Sequence, residues 1–175
     1  MRKTTICILF LSLVLFACKN NRQKLVGSWH SVRLENKDID SFFIKSQLYI
    51  DTIGKNNDPV TNMEVYGTTN VDSLRKLMQE QYDSAKTIQM RSVTNTVFSF
   101  TKDSLLFISF NGNIDTCKWT LAANNKVMVE DLNKGGTGEK MTWEILELSD
   151  TDLVIKIPQD SSFSKVTFHP ERINP

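Results

Sequence analysis

The residues of this chain that could do chemistry are few: two histidines, three cysteines and scattered carboxylates. His30 and His169 stand far apart, and neither belongs to a His-x-x-x-His or Cys-x-x-Cys spacing that would aim two ligands at one metal. A metal site would need the fold to gather both with carboxylates, so none is expected. Serine, histidine and aspartate all occur, yet no Gly-x-Ser-x-Gly elbow presents a nucleophile. Gly135-Gly136-Thr137-Gly138 lacks the following Lys-Ser/Thr and helix of a phosphate cradle, and reads as a hairpin turn. Asp150 and Asp152 form a near pair in a turn, where carboxylates bond to local backbone. Cys117 shares a strand face with Trp119 and Leu121, the setting of an inert buried thiol rather than a nucleophile. No catalytic residue and no cofactor are expected, and an enzyme is the weakest of three functional readings.

The other two cysteines lead to the start of the chain. Met1-Arg2-Lys3 is basic, and Ile6 to Phe16 is an apolar run of eleven residues. A bilayer-spanning helix needs roughly 17–25 residues, so this run has the length of a secretory core instead. It ends in Leu15-Phe16-Ala17-Cys18, which resembles a bacterial lipobox, with Phe16 a departure from the commonest form. The resemblance implies that residues 1–17 are removed and that Cys18 carries diacylglycerol and an acylated amine. Several acyl chains, at about 0.8 kcal/mol per buried CH2, hold a protein durably on a membrane. Cys7 would leave with the leader, so Cys117 has no partner for an intramolecular disulfide. Residues 18–24 read as a lipidated cysteine and polar tether. In its Asn- and Lys-rich style the chain resembles Bacteroidetes-type lipoproteins, in which acidic residues just behind the cysteine mark export to the cell surface. None stands close behind Cys18, which points to the outer membrane, periplasmic side.

Lys+Arg 21 against Asp+Glu 20 leaves the chain near neutrality. Without a basic stripe and interleaved aromatics, no nucleic-acid partner is expected. About 158 residues remain after the leader, enough for a single domain.

What must position the side chains is a run of strands. In Leu25-Val26-Gly27-Ser28-Trp29-His30, alternation puts Leu25, Gly27 and Trp29 on one face. A large indole beside a bare backbone suits one end of a closed sheet, or a buried Trp in an ordinary sandwich. From Thr94 onward period-2 segments follow one another: Thr96–Thr101, Leu105–Phe110, Ile114–Leu121, Val127–Val129, Met141–Leu146, Leu153–Ile157 and Phe163–Phe168. Asn111-Gly112 is the strongest hairpin signal among their connections. Gly27-x-Trp29 heading this series resembles the first strand of the lipocalins, and more closely the small lipocalin-like domains of bacterial lipoproteins. Trp119-Thr120-Leu121 and Ile145-Leu146-Glu147-Leu148-Ser149 resemble their repeating core. The fold expected is mainly β: an eight-stranded antiparallel up-and-down barrel, lipocalin-like, over residues 25–170. Lipocalins often lay a basic side chain from the last strand over the first-strand Trp, a role open here to Lys165 or Arg172.

A helical insertion at about 39–93 is expected between the first and second barrel strands. Ile39 to Ile53 reads as a short helix followed by a strand, and residues 54–59 as a turn-rich loop. Between 72 and 91 the period becomes helical, with Leu74, Leu77, Met78, Gln81, Ala85 and Ile88 on one stripe and Thr69 with Asp72 as a capping pair. That stripe predicts a helix across or beside a barrel mouth, with Leu74, Leu77 and Met78 inward, as a lid or as a permanent cap.

The lipocalin resemblance implies binding of a small apolar or amphipathic ligand by Trp29, Phe98, Phe100, Trp119 and Trp143, with Leu74, Leu77 and Met78 at the mouth. These inward side chains are bulky, which leans toward a filled or nearly filled interior; the resemblance leans the other way, and a binding role with the filled barrel as alternative is the expectation. A filled barrel would be a structural protein docking an envelope partner through the insertion.

Overall fold

The computed structural model describes residues 21–55, 58–132, 138, 140–159 and 162–171. Cys18, Arg172 and most of the Gly135–Gly138 turn lie outside them. Eight strands close into an antiparallel barrel in which every strand pairs with its sequence neighbours. They are β1 (Gly27–Asn36), β2 (Val97–Phe100), β3 (Leu105–Phe110), β4 (Asn113–Ala122), β5 (Lys126–Asp131), β6 (Lys140–Leu148), β7 (Leu153–Pro158) and β8 (Phe163–Pro170). The closed, all-antiparallel order of eight strands is the one the period-2 segments predict. Closure leaves no open edge on which a second chain could add. The Glu171 N–H donates to the Ser28 carbonyl (2.8 Å) at the seam between the last strand and the first.

Turn chemistry sets the register. Asn111 and Gly112 both take positive φ (50° and 84°), as a type I′ hairpin needs, and Phe110 pairs directly with Asn113. Asn124 and Asn125 also take positive φ between β4 and β5, a conformation asparagine tolerates better than most residues. The pleat then sends Trp29, Phe98, Phe100, Leu106, Trp119, Val127, Trp143, Ile155 and Phe168 into one buried interior. Lys126, Glu144 and Lys156 alternate outward along paired strands. The end bearing residues 101–104, 123–125 and 149–152 is the base of the barrel. At the opposite rim β1 ends, β2 begins and Asn111-Gly112 turns.

The chain divides into two compact units, Asn36–Arg91 and the segments flanking it. The first is helical: α1 (Lys37–Thr52), α2 (Pro59–Tyr66) and α3 (Val71–Thr94). α1 is one continuous helix where a short helix and a strand were expected. Asn36 caps it, its side chain accepting the Asp38 and Ile39 amides at 2.9 and 3.1 Å. α2 replaces part of the expected loop: Asp58 accepts the Val60 and Thr61 amides, and Pro59 sits in the first turn, where its missing N–H costs nothing. The Thr61 hydroxyl and amide on Asp58 hold its carboxyl below the usual carboxylate range. The cap of α3 is Asn70, whose side chain accepts the Ser73 amide at 3.1 Å, in place of the expected Thr69–Asp72 pair.

Within this unit α1 and α3 pack side by side. Phe43 meets Tyr82 edge-on at 5.5 Å, and the Gln47 and Gln79 amides bond to each other at 3.0 Å. Gly54 (φ 66°) makes the turn into α2 and lies so close to Val71 that a Cβ there would fall 2.5 Å from its methyl. Among the described residues no helix is long and apolar enough to cross a membrane.

Candidate functional site

Three places can be built from the residues upward: the barrel interior, a recess at the base, and a groove on the helical unit. The interior holds all five aromatic side chains singled out as ligand contacts. Phe98 is the hub, with its ring 4.7 Å from Phe168, 5.3 Å from Trp143 and 6.4 Å from Phe100. Phe100 in turn meets Trp119 edge-on at 5.4 Å. None of the five is more than 5% exposed. Trp29 is fixed by its indole N–H donating to the Leu25 carbonyl at 2.9 Å. Among the described residues the indole nitrogens of Trp119 and Trp143 are buried without an acceptor, two unspent donors of the interior.

Cys117 joins the same core. Burial, with the Asp131 and Asp115 carboxylates adding to it, pushes the thiol up to about 11. A thiol so rarely ionised at neutral pH is a poor nucleophile.

One contact at the base has no counterpart in local sequence. The Arg22 guanidinium lies 4.6 Å from the centre of the Trp119 ring and donates to Ser104 Oγ (2.8 Å) and the Lys102 carbonyl (3.3 Å). The cation on an indole therefore comes from ahead of β1 and covers Trp119. Lys165, one of the two side chains expected over Trp29, instead reaches Glu35 at 3.1 Å; Arg172, the other, lies outside the described residues. Residues 21–25 are helical, and Leu25 is fully buried, so the end of the expected tether is part of the barrel. Its only sequence signal is an arginine in a polar stretch, 97 positions before the ring it covers.

The base recess, of about 800 Å3, gathers both histidines with Asp150, Asp152 and Glu171. His30 Nε2 is 3.4 Å from Glu171 Oε1, and His169 Nε2 is 3.2 Å from Asp152 Oδ1. The β1–β8 seam and the β7–β8 pairing bring about what sequence spacing did not. The result is two separate, partly exposed His–carboxylate pairs. Among the described residues no three His, Cys, Asp or Glu side chains converge as metal ligands. The hydroxyl lining the recess, that of Thr151, donates to Asp152 Oδ2 at 2.6 Å, on the carboxylate that pairs with His169.

The groove lies between α1 and α3, about 460 Å3, walled by Phe42, Phe43, Tyr49, Met78, Tyr82 and Ala85. Of the three stripe residues expected at a mouth, Met78 lines this groove, Leu74 is half-buried and Leu77 is exposed. They belong to the helical unit, whereas the five aromatics belong to the barrel. Large apolar side chains stand exposed on every helix: Phe42, Ile44 and Leu48 on α1, Val60, Met63 and Val65 on α2, Leu77, Ile88 and Met90 on α3. No protein-family model matches this chain, and no curated protein is similar to it.

Proposed function

We propose that this chain is a lipid-anchored envelope lipoprotein whose lipocalin-like barrel is filled by its own side chains and serves as a scaffold, and whose helical insertion docks a protein partner. The observation that carries the reading is the ring set around Phe98. Side chains that a ligand-binding barrel would turn toward its cargo here contact one another, and an eight-stranded barrel is just wide enough to be filled in that way. The anchor rests on the lipobox-like Ala17-Cys18, and the periplasmic side of the outer membrane on the lack of acid close behind it.

The extent of apolar surface on the insertion argues for a protein as its occupant. Among the described residues only Ile50, Ile53 and Val71 are buried apolar residues there, while ten large ones on three helices, Tyr49 included, face outward. Exposed apolar surface of that breadth marks interaction sites. A molecule small enough for the groove would leave Val60, Val65 and Met90 in water.

In-cell photocrosslinking from Leu48 and Met63, with Thr120 on the barrel wall as control, tests the docking. A defined crosslinked protein at both helical positions, lost in Phe42→Asp, is expected. No adduct at either position refutes the reading, as does an adduct that is a second copy of this chain. So does hydrogen exchange as slow in α1 and α3 as in the strands of the isolated protein, because the faces are then covered without a partner.

A second reading is an amphipathic ligand inside the barrel. The buried, acceptor-less indole nitrogens of Trp119 and Trp143 favour it, since a carboxyl or carbonyl group would satisfy them. Native mass spectrometry of the purified protein separates the two. A stoichiometric small molecule, lost in Trp143→Phe, would replace the scaffold.

A further inference from the structure

The segment just ahead of β1 is bolted to one end of the barrel, and that fixes which end can approach a membrane. Arg22 bonds to Ser104 and the Lys102 carbonyl in the β2–β3 turn and lies over Trp119. Asn21 reaches Asn125 in the β4–β5 turn at 3.5 Å, and Lys24 pairs with Asp150 in the β6–β7 turn at 3.4 Å. Leu25 is fully buried below them, its carbonyl held by Trp29. Three separate turns of the base thus hold Asn21, Arg22 and Lys24, and Leu25 is buried beside them, so the segment does not swing as a free linker.

Between Cys18 and Arg22 stand only Lys19, Asn20 and Asn21. Four residue steps span at most about 13–14 Å when fully extended, at roughly 3.3–3.6 Å each. The ten residues of β1 rise about 33 Å along the strand, or about 25 Å along the axis at the usual barrel tilt. The reach of the anchor is therefore well short of the height of the barrel. A chain held at Cys18 cannot lay its rim on the lipid surface while the base segment stays bound.

We infer that the base of the barrel is a membrane-apposed surface: the protein stands with its β2–β3, β4–β5 and β6–β7 turns toward the lipid headgroups and the Asn111-Gly112 rim pointing away. The partner is a lipid surface, met through the short anchor and not through charge. The base carries Arg22, Lys24 and Lys102 but also Asp103, Asp150 and Asp152, so among the described residues it makes no basic patch. This inference rests on Cys18 being the lipidated residue.

The test uses the full-length protein, purified from membranes and reconstituted in phosphatidylcholine vesicles carrying a headgroup nitroxide quencher. A fluorophore is placed at Ala123→Cys on the base or at Asn113→Cys by the rim, both exposed positions. Quenching at 123 should exceed that at 113 several-fold. A spacer of fifteen Gly and Ser residues inserted after Lys19 should bring the two near equality, and added anionic lipid should change neither. Fatty-acid incorporation at Cys18 is read on the same preparations. Acylated protein with equal quenching at both sites, or more at 113, overturns the orientation and leaves the anchor standing. A contrast that survives the spacer overturns it too, because the base then binds lipid by itself. Absence of acyl label from Cys18 overturns the anchor, and the orientation with it.

Discussion

Truncating Trp29 to alanine should remove a large share of the stability of the barrel. The side chain is 3% exposed and faces Phe98 across the β1–β2 pair. A buried aromatic of this kind removes about 150–250 Å2 from water, worth about 4–6 kcal/mol at roughly 25 cal/mol per Å2. Measured truncations of core tryptophan cluster at about 3–5 kcal/mol, and we expect that range. Trp29→Phe keeps most of the ring but loses the N–H to the Leu25 carbonyl. One lost bond to a buried acceptor costs about 1–3 kcal/mol, so phenylalanine should fall between the parent and alanine. The assay is urea unfolding of the chain from Lys19 onward, followed by tryptophan fluorescence. All three tryptophans lie in the barrel unit, so in either variant Trp119 and Trp143 report on the barrel without the helices. With a urea dependence of about 1–3 kcal/mol per molar, the alanine midpoint should drop by more than about 1 M. A drop worth under about 1 kcal/mol, or a phenylalanine variant as weak as alanine, would refute the packing argument.

Three further outcomes follow from the contacts described. Cys117, with its pKa raised from 9.0 to about 11, binds its proton more tightly folded than unfolded. The stability it contributes is complete below pH 9 and is lost as pH rises toward 11. Cys117→Ala should flatten that loss in urea midpoints taken between pH 8 and 11, and an unchanged slope would contradict it. Gly54→Ala combines a left-handed backbone with a clash on Val71 and should destabilise the helical unit by about 2–4 kcal/mol. Helix-band circular dichroism on heating reads it; an unchanged melt would mean the turn relaxes freely. Asn36→Ala removes the acceptor of two amides and should cost about 1–2 kcal/mol, with Asn36→Asp restoring most of it. If alanine and aspartate melt alike, the cap is not the role of this side chain.

The barrel strands were legible because each carries its own evidence. Phe98 and Phe100 alternate with polar neighbours, and Asn111-Gly112 demands a turn whatever the rest of the chain does. The helical unit was read less well, since its apolar residues point in several directions. Phe42-Phe43-Ile44 and Leu48-Tyr49-Ile50 show no single stripe, so one helix looked like two elements. Asp58-Pro59 resembled a loop because cap and first-turn proline use the same residues as turns. The base of the barrel was beyond local reading altogether. That Arg22 covers Trp119, and that His30 and His169 share a recess, follows from which strands are neighbours after closure. Spacing along the chain carries no trace of it. Lys165 was a reasonable candidate for an indole, but Glu35 offered it an opposite charge on the adjacent strand.

The position of β1 has a consequence for how the chain assembles. From β2 to β8 each strand meets a partner a few residues away and can zip as a meander. β1 is different: Trp29 pairs with Phe98, and Ser28 receives its bond from Glu171. Both partners are distant along the chain, and each pairing carries a loop-closure entropy that a two-residue hairpin avoids. Long-range pairings of this kind form late, so β1 is expected to dock last, onto a seven-stranded sheet whose β2 and β8 edges stand open until then. The N-terminus is synthesised first yet completes the fold at the end. The interval leaves two bare strands available to other chains, the hazard that closure later removes. In pulse-labelled hydrogen exchange the amides of β1 should gain protection after those of β4 to β7, and the same delay makes β1 the natural break for a split, complementing pair of fragments.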